Sequence, residues 1–385
     1  MSFAFETIRP FLNVFSRIQV RSNEQTSGYA DAYAALLQVR ANLAQNVPAE
    51  GFYRLKNVAT GKYLVATALT ASNSTTDAVF ANGDANSAAT VIRIFDKDND
   101  GQLYMNNQGY GFGWVTTDGS FSSTGKVWIT SSYDKYINWL PGNADNQVAF
   151  AVCLGNATGT WASQLKKGIF TADANEAVIA GTDETADAAQ WIVEPATTVT
   201  VNLNSDGAEP ATYYATFCAP FSYTVGSGVV AYTLAASGEW LVPTGITDEV
   251  PAGTPVLLKG SSATATLTIG TDYENAPVAT TALTGSYLSK TIDGATDYVL
   301  GKSGSVVGFY HWNQNTLAAN RAYIDTPAEV KGFVINWDEL VDGIDQVQSS
   351  TFNVQSSTIY NLAGQRINKL QKGINIVNGK KVLVK

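Results

Sequence analysis

The chain has 385 residues, a formal net charge of −9 and a pI near 4.7, with 45% hydrophobic and 15% charged residues. This balance excludes a disordered polymer, and the acidity argues against nucleic acid or an anionic membrane surface as partner, because each needs a basic face. Eight Trp, 18 Tyr and 16 Phe beside one His point to β-rich domains with polar and aromatic surfaces.

Residues 1–48 read as helical. In "DAYAALLQVRANLAQN" the apolar residues Tyr33, Leu36, Leu37 and Leu43 recur at helical spacing behind Asp31, a candidate cap, and Pro48 closes the segment. Phe5, Ile8, Phe11, Leu12 and Phe15 predict a shorter first helix, so the two form a hairpin. Glu6, Arg9 and Pro10 interrupt the N-terminus, and it does not read as a signal peptide. No apolar run is long enough to cross a bilayer as a helix.

From Gly51 to about Pro195 the period changes to two, and short strands alternate with Gly, Asn, Asp and Ser turns. "TVIRI" (90–94), "VAFAV" (148–152) and "QWIVE" (190–194) form a weak threefold echo with spacings of 58 and 42 residues. That echo predicts a β-trefoil over residues 49–196. "GFYRLKNVATGKYLVA" (51–66) and "DAAQWIVEP" (187–195) resemble the opening and closing strands of ricin-type β-trefoil lectin domains. Such domains carry Gln-x-Trp in each repeat; this chain has Gln190-Trp191 without the spacer. The resemblance implies a lectin-like fold whose sugar sites have departed from the family pattern.

Within the trefoil, "FDKDNDGQLYMNN" places Asp96, Asp98, Asp100 and Gly101 at the spacing of a calcium loop, but Asn107 stands where a bidentate Glu would close it. A solvated hairpin tip is the stronger reading, with the three aspartates as a weak metal candidate. The stretch 104–143 is the densest in aromatic and polar residues. Sugars are held by aromatic faces stacked on pyranose CH groups and by side chains that hydrogen-bond hydroxyls. Tyr110, Trp114, Trp128, Tyr136 and Trp139 are the predicted faces, and Asn106, Asn107, Gln108 and Asp118 the predicted polar ligands. Phe112 and Trp114 share one strand face, and Gly111 and Gly113 leave the other bare.

Residues 197–342 read as a β-sandwich module, from runs such as "YYATFCAPFSYTV", "GTPVLLKG", "TATLTIG" and "DYVLGK". This region resembles a module of exported Bacteroidetes-type proteins. The single His311, in "GFYHWNQN", reads as a packing or surface residue, which leaves no Ser-His or Cys-His machinery. Cys153 and Cys218 read as buried free thiols, with one cross-domain disulfide as the alternative.

A polar linker spans 343–356. The tail 357–385 is different in charge: residues 359–385 hold six Lys or Arg and no acidic residue. "GINIVNGKKVLVK" predicts a hairpin about Asn378-Gly379, the pair favoured in type I′ turns. "IYNLAGQRI…KGINIVNGKKVLVK" resembles the C-terminal sorting domains of Bacteroidetes, of the type IX kind, and implies a secreted or cell-surface address. The sequence thus predicts a mainly β, non-catalytic protein that needs no cofactor and binds glycans or polysaccharide. The alternative is a structural or adhesive surface protein that binds host or matrix proteins.

Overall fold

The computed structural model describes residues 34–37, 47–66, 79–82, 85–96, 103–115, 126–130, 136–153, 168–174, 177–272, 277–279, 281–311, 316–327, 330–337, 359–361, 364–367, 370–377 and 380–384. Residues 34–37 are helical, and most of the expected helical hairpin lies outside the described residues.

Twelve strands form the first unit: β1 (Gly51–Asn57), β2 (Tyr63–Ala66), β3 (Val79–Asn82), β4 (Ile92–Asp96), β5 (Leu103–Asn107), β6 (Tyr110–Val115), β7 (Lys126–Thr130), β8 (Tyr136–Pro141), β9 (Gln147–Cys153), β10 (Ile169–Ala172), β11 (Ala177–Gly181) and β12 (Trp191–Pro195). Strand β1 pairs with β4, β4 with β5, β5 with β8, β8 with β9, β9 with β12, and β12 returns to β1, so six strands close a barrel. The hairpins β2–β3, β6–β7 and β10–β11 meet through β3–β11 and β7–β11 pairing. A closed six-stranded barrel with three hairpins gathered together is the β-trefoil arrangement.

The barrel fills because its strands alternate. In β4, Ile92 and Ile94 are buried while Arg93 and Phe95 face outward. Leu55, Leu64, Met105, Phe112, Phe150, Phe170 and Trp191 complete the interior with those two isoleucines. Each such side chain contributes about 1.5–3 kcal/mol by leaving water.

Strand order corrects the threefold echo. Residues 90–94 and 190–194 are equivalent: β4 and β12 each follow a single 3-10 turn, Ala88–Thr90 and Asp187–Ala189. Residues 148–152 belong instead to β9, the first strand of the third repeat, and the true counterpart of β4 in the second repeat is β8. Composition matched the approach loops but not their place in the repeat. A better marker is an asparagine. Asn57 closes β1 and donates from Nδ2 to the carbonyls of Ala188 (2.8 Å) and Gln190 (3.4 Å). Asn107 closes β5 and donates from Nδ2 to those of Ala89 and Val91, both at 2.8 Å. Each amide thus ties the end of a first strand to the 3-10 turn of the repeat preceding it around the barrel.

The region that follows holds β13 (Thr198–Asn202), β14 (Asn204–Ser205), β15 (Tyr213–Phe217), β16 (Tyr223–Val225), β17 (Val229–Ser237), β18 (Trp240–Ile246), β19 (Val256–Gly260), β20 (Thr264–Ile269), β21 (Thr284–Ser286), β22 (Lys290–Thr291), β23 (Asp297–Ser303), β24 (Val306–Tyr310), β25 (Thr316–Leu317), β26 (Arg321–Asp325) and β27 (Phe333–Ile335). A three-stranded sheet, β13-β20-β16, lies against a ten-stranded one, β14-β15-β19-β17-β18-β27-β24-β23-β26-β21. Val199, Val201, Ala265 and Leu267 from the first meet Phe217, Ala231, Val256 and Leu258 from the second. Cys218 is a buried free thiol.

At the C-terminus β28 (Ile359–Asn361), β29 (Arg366–Ile367), β30 (Gly373–Val377) and β31 (Lys380–Val384) form a four-stranded sheet in the order β29-β28-β30-β31. Val377 pairs with Lys380, so β30 and β31 form the hairpin that the sequence predicts; Asn378 and Gly379 themselves lie outside the described residues.

The trefoil and the sandwich share a core. Trefoil residues Ala88 and Val91 pack among the sandwich residues Val199, Val201 and Phe221, and Leu288 of the sandwich joins the trefoil interior. Arg54, buried in β1, donates from Nε to Thr90 Oγ1 (3.0 Å) and from a terminal guanidinium nitrogen to the Thr198 carbonyl (2.7 Å). The two units therefore dock through packing and specific hydrogen bonds.

Candidate functional site

The structure separates the predicted ligand residues into distinct groups. Asn106, Asn107 and Gln108 are buried at 9%, 0% and 1% exposure. The Asn107 amide is spent inside the fold, since its Oδ1 also accepts from the Ala66 N–H at 2.7 Å. Gln108 sits with Gly109 at the β5–β6 turn, at φ 55° and 79°, the left-handed pair of a type I′ hairpin. A non-glycine residue there costs about 1–2 kcal/mol, which its side-chain bonds offset. Gln108 Nε2 donates to the Ala88 carbonyl (2.9 Å) and to Asn320 Oδ1 (3.1 Å), while Asn320 Nδ2 donates back to Gln108 Oε1 (2.8 Å). Asn320 is itself left-handed, at φ 57°, and its Nδ2 also reaches the Cys218 carbonyl at 3.0 Å. The amides of Asn107 and Gln108, expected as sugar ligands, are bonded within the fold, and Asn106 is buried beside them. Asn107 holds the 3-10 turn before β4, and Gln108 locks trefoil to sandwich through Asn320.

The predicted aromatics are placed differently. Trp139 is half-buried opposite Phe150, ring centroids 5.5 Å apart, and its indole N–H is buried with no acceptor among the described residues. Tyr110 is half-buried against the barrel interior, and burial pushes its phenol pKa up, so it remains neutral. In the β6–β7 register Phe112 pairs with Ile129, Gly113 with Trp128 and Trp114 with Val127. Phe112 is in the core and Gly111 is also buried, so the glycine face is covered at that position. Tyr136 pairs with Tyr104 and Cys153. Asp118 lies outside the described residues, as do Asp98 and Asp100; Asp96 ends β4, opposite Leu103. Among the described residues no cluster of three or more His, Cys, Asp or Glu is placed to hold a metal ion. His311 is exposed, with its ring 4.0 Å from that of Tyr298.

A second surface has the form of a binding site. Where β1 and β4 of the trefoil approach β20 of the sandwich, a cleft of about 740 Å³ opens across the connection Ala196-Thr197. Phe52, Arg93, Phe95 and Glu50 line its trefoil wall, and Thr268 and Asp272 its sandwich wall. The walls are anchored. Phe52 packs edge-on to Phe221 at 5.8 Å, and Phe95 is backed by Tyr104 at 5.8 Å. The Arg93 guanidinium stacks on Phe95, 4.1 Å from the ring centroid. Glu50 is held by the Asp96 N–H, which donates to its Oε2 at 3.2 Å, and the Asp272 carbonyl accepts from the Ser222 N–H at 3.0 Å. Apolar rings, a guanidinium fork, carboxylates and threonine hydroxyls thus converge in one concavity at a module junction, a common location for small-ligand sites.

No family model matches this sequence, and no curated protein matches it either. Among solved structures, the chain is similar to the designed threefold-symmetric protein ThreeFoil, at 17% identity over 38% of this chain and 99% of that one, TM-score 0.29. It is similar to the Rhizoctonia solani agglutinin at 15% identity, over 39% of this chain and 97% of that one, TM-score 0.30. A salivary protein of Culex quinquefasciatus matches at 9% identity, over 39% and 95% of the two chains, TM-score 0.28.

The cleft residues were present in the sequence motifs but not singled out. Phe95 and Arg93 occupy the outward positions of "IRIFD", and an outward phenylalanine two residues from an arginine is the signal that a strand face carries a platform.

Proposed function

We propose that this chain is a non-catalytic carbohydrate-binding protein, exported or displayed at the cell surface, whose ligand lies in the junction cleft. The observation that carries this reading is the Arg93–Phe95 stack facing Thr268 and Asp272 across a cleft of about 740 Å³. Saccharides present apolar CH patches beside dense hydroxyls, and the cleft is lined by rings, a guanidinium, carboxylates and threonine hydroxyls. The basic C-terminal sheet serves as the export module that its sequence resembles. Among the described residues no helix is long and apolar enough to cross a membrane.

The test is a glycan array on the full chain, followed by titration of the strongest binder. Arg93→Met is expected to weaken binding by about tenfold, the loss of one good charge-assisted contact. A chain that binds no glycan would sink the reading. One observation favours a second reading, an adhesive protein for host or matrix proteins: Asn106, Asn107 and Gln108 are all withdrawn into the fold. That reading predicts an empty array and a protein ligand.

A further inference from the structure

One face of the ten-stranded sheet is covered along only part of its width. Phe217 of β15, Ala231 of β17 and Leu258 of β19 meet the three-stranded sheet there, and Ile246 of β18 packs against the same core. Along β18 that face runs on from Ile246 through Thr244 and Val242 to Trp240. Trp240 pairs with Val334 of β27, and Val334 pairs with Gly308 of β24, so the face continues across three strands. On the opposite side of these strands Leu241, Phe309 and Phe333 fill a buried core. The continuing face is open: Trp240 is 53% exposed, more than any other large apolar side chain among the described residues, and Val306 is 43% exposed.

A second aromatic ring is laid down on this face. Side chains of a strand ordinarily stand off the sheet. Tyr310, at the end of β24, instead lies along it. A Cβ at Gly332 would stand 2.3 Å from Tyr310 Cδ1 and 2.6 Å from Cε1, and one at Gly308 would stand 3.2 Å from Cζ. Both glycines are buried beneath the ring, and the Tyr310 hydroxyl donates to the Val306 carbonyl at 3.3 Å, which turns the ring back along its own strand. Trp240 and the Gly308 under Tyr310 are two strands apart, roughly 10 Å at the usual strand spacing. The side chains of Val242, Thr244, Val306 and Val334 between and around the rings carry no charge, and Ser237 and Ser303 stand at the margins, paired with Trp240 and Val306.

An exposed apolar surface of this kind marks a place where something binds. A polyanion or a polycation finds no opposite charge on it. Flat, uncharged rings with hydroxyls at the edge match the apolar CH faces and outer hydroxyls of pyranose units. We propose that this bare half-sheet is a second binding surface, which takes a neutral, extended polysaccharide stacked on Trp240 and Tyr310. An open face admits the middle of a polymer. The surface shares a ligand class with the junction cleft and none of its residues, so the two readings stand or fall separately.

The experiment is affinity electrophoresis of the full chain in gels containing xyloglucan, galactomannan or mixed-linkage glucan, with polygalacturonate as the charged control, beside sedimentation velocity of the free protein. At least one neutral polymer should retard the chain, equally at low and high salt because no charge is engaged. Trp240→Ala and Tyr310→Ala should each weaken that retardation about tenfold, the loss of one stacking ring, and Trp240→Phe should weaken it less. Trp240→Ala should leave the melting temperature unchanged, since the ring is exposed. Retardation untouched by either alanine variant, or stronger retardation by polygalacturonate, would overturn the inference. So would a dimer of the free protein that Trp240→Ala disperses, because the occupant would then be a second copy of the chain. Retardation that depends on Arg93 and not on Trp240 would also overturn it, and would support the cleft. A glycan array with binders but no retarded polymer removes this surface alone; an empty array with no retardation removes both readings.

Discussion

Two tryptophans meet the same phenylalanine from different repeats and are treated in opposite ways. Trp191, at the start of β12, is fully buried, lies 5.7 Å from Phe150, and donates its N–H to the Phe170 carbonyl at 2.9 Å. Trp139, in β8, lies 5.5 Å from Phe150 but is half-buried, and its N–H finds no acceptor among the described residues. The ring contacts are alike; the polar handle is not. A large indole becomes a keystone only where its one donor is also satisfied, and elsewhere it is filling whose polar atom is a cost.

The sharpest way to break this comparison is to truncate each ring. Trp191→Ala should destabilise the protein by about 3–5 kcal/mol, the range for losing a large aromatic from a core, read as a fall in the denaturant midpoint. If Trp139→Ala cost as much, the distinction would fail. Next in size is the asparagine that marks the repeats: Asn107→Ala removes two donors and an acceptor and should cost about 2–3 kcal/mol. Asn57→Ala should cost a similar amount, because its amide holds the equivalent turn.

The junction offers a pH probe of the same architecture. Burial pushes the Cys218 thiol up from 9.0 to about 12. The unfolded thiol therefore loses its proton first, and the stability this group contributes is complete below pH 9.0 and declines as pH rises toward about 12. The expected slope is about 1.4 kcal/mol per pH unit in that window, measured by denaturant titration at several pH values. Cys218→Ser should flatten it. The smallest effect belongs to Trp139→Phe, which keeps most of the ring and removes the unpaired donor. It should change stability by less than about 1 kcal/mol, in either direction.

Much of the architecture is legible in the sequence because it is local. Alternation in "IRIFD" and the Asn-Gly step at 378–379 specify strands and a hairpin from neighbouring residues alone. The tight turn at Gln108-Gly109 is equally local in its backbone. What Gln108 bonds to was not, since Asn320 lies 212 residues away and only the folded chain brings the two amides together. The same limit hid the cleft, whose walls come from two units, and the burial of Asn106 and Asn107 in the aromatic-rich stretch. The threefold echo misaligned because loop composition repeats more freely than strand order does.

One docking contact has a consequence for synthesis. Leu288 belongs to the interior of the trefoil although that unit's last strand ends at Pro195, and Gln108 waits for Asn320. A nascent chain that has just released its twelfth strand from the ribosome can close the barrel, but must leave one seam open. The trefoil reaches its final stability only after the sandwich has been translated past Asn320, so folding of the earlier unit is timed by the later one.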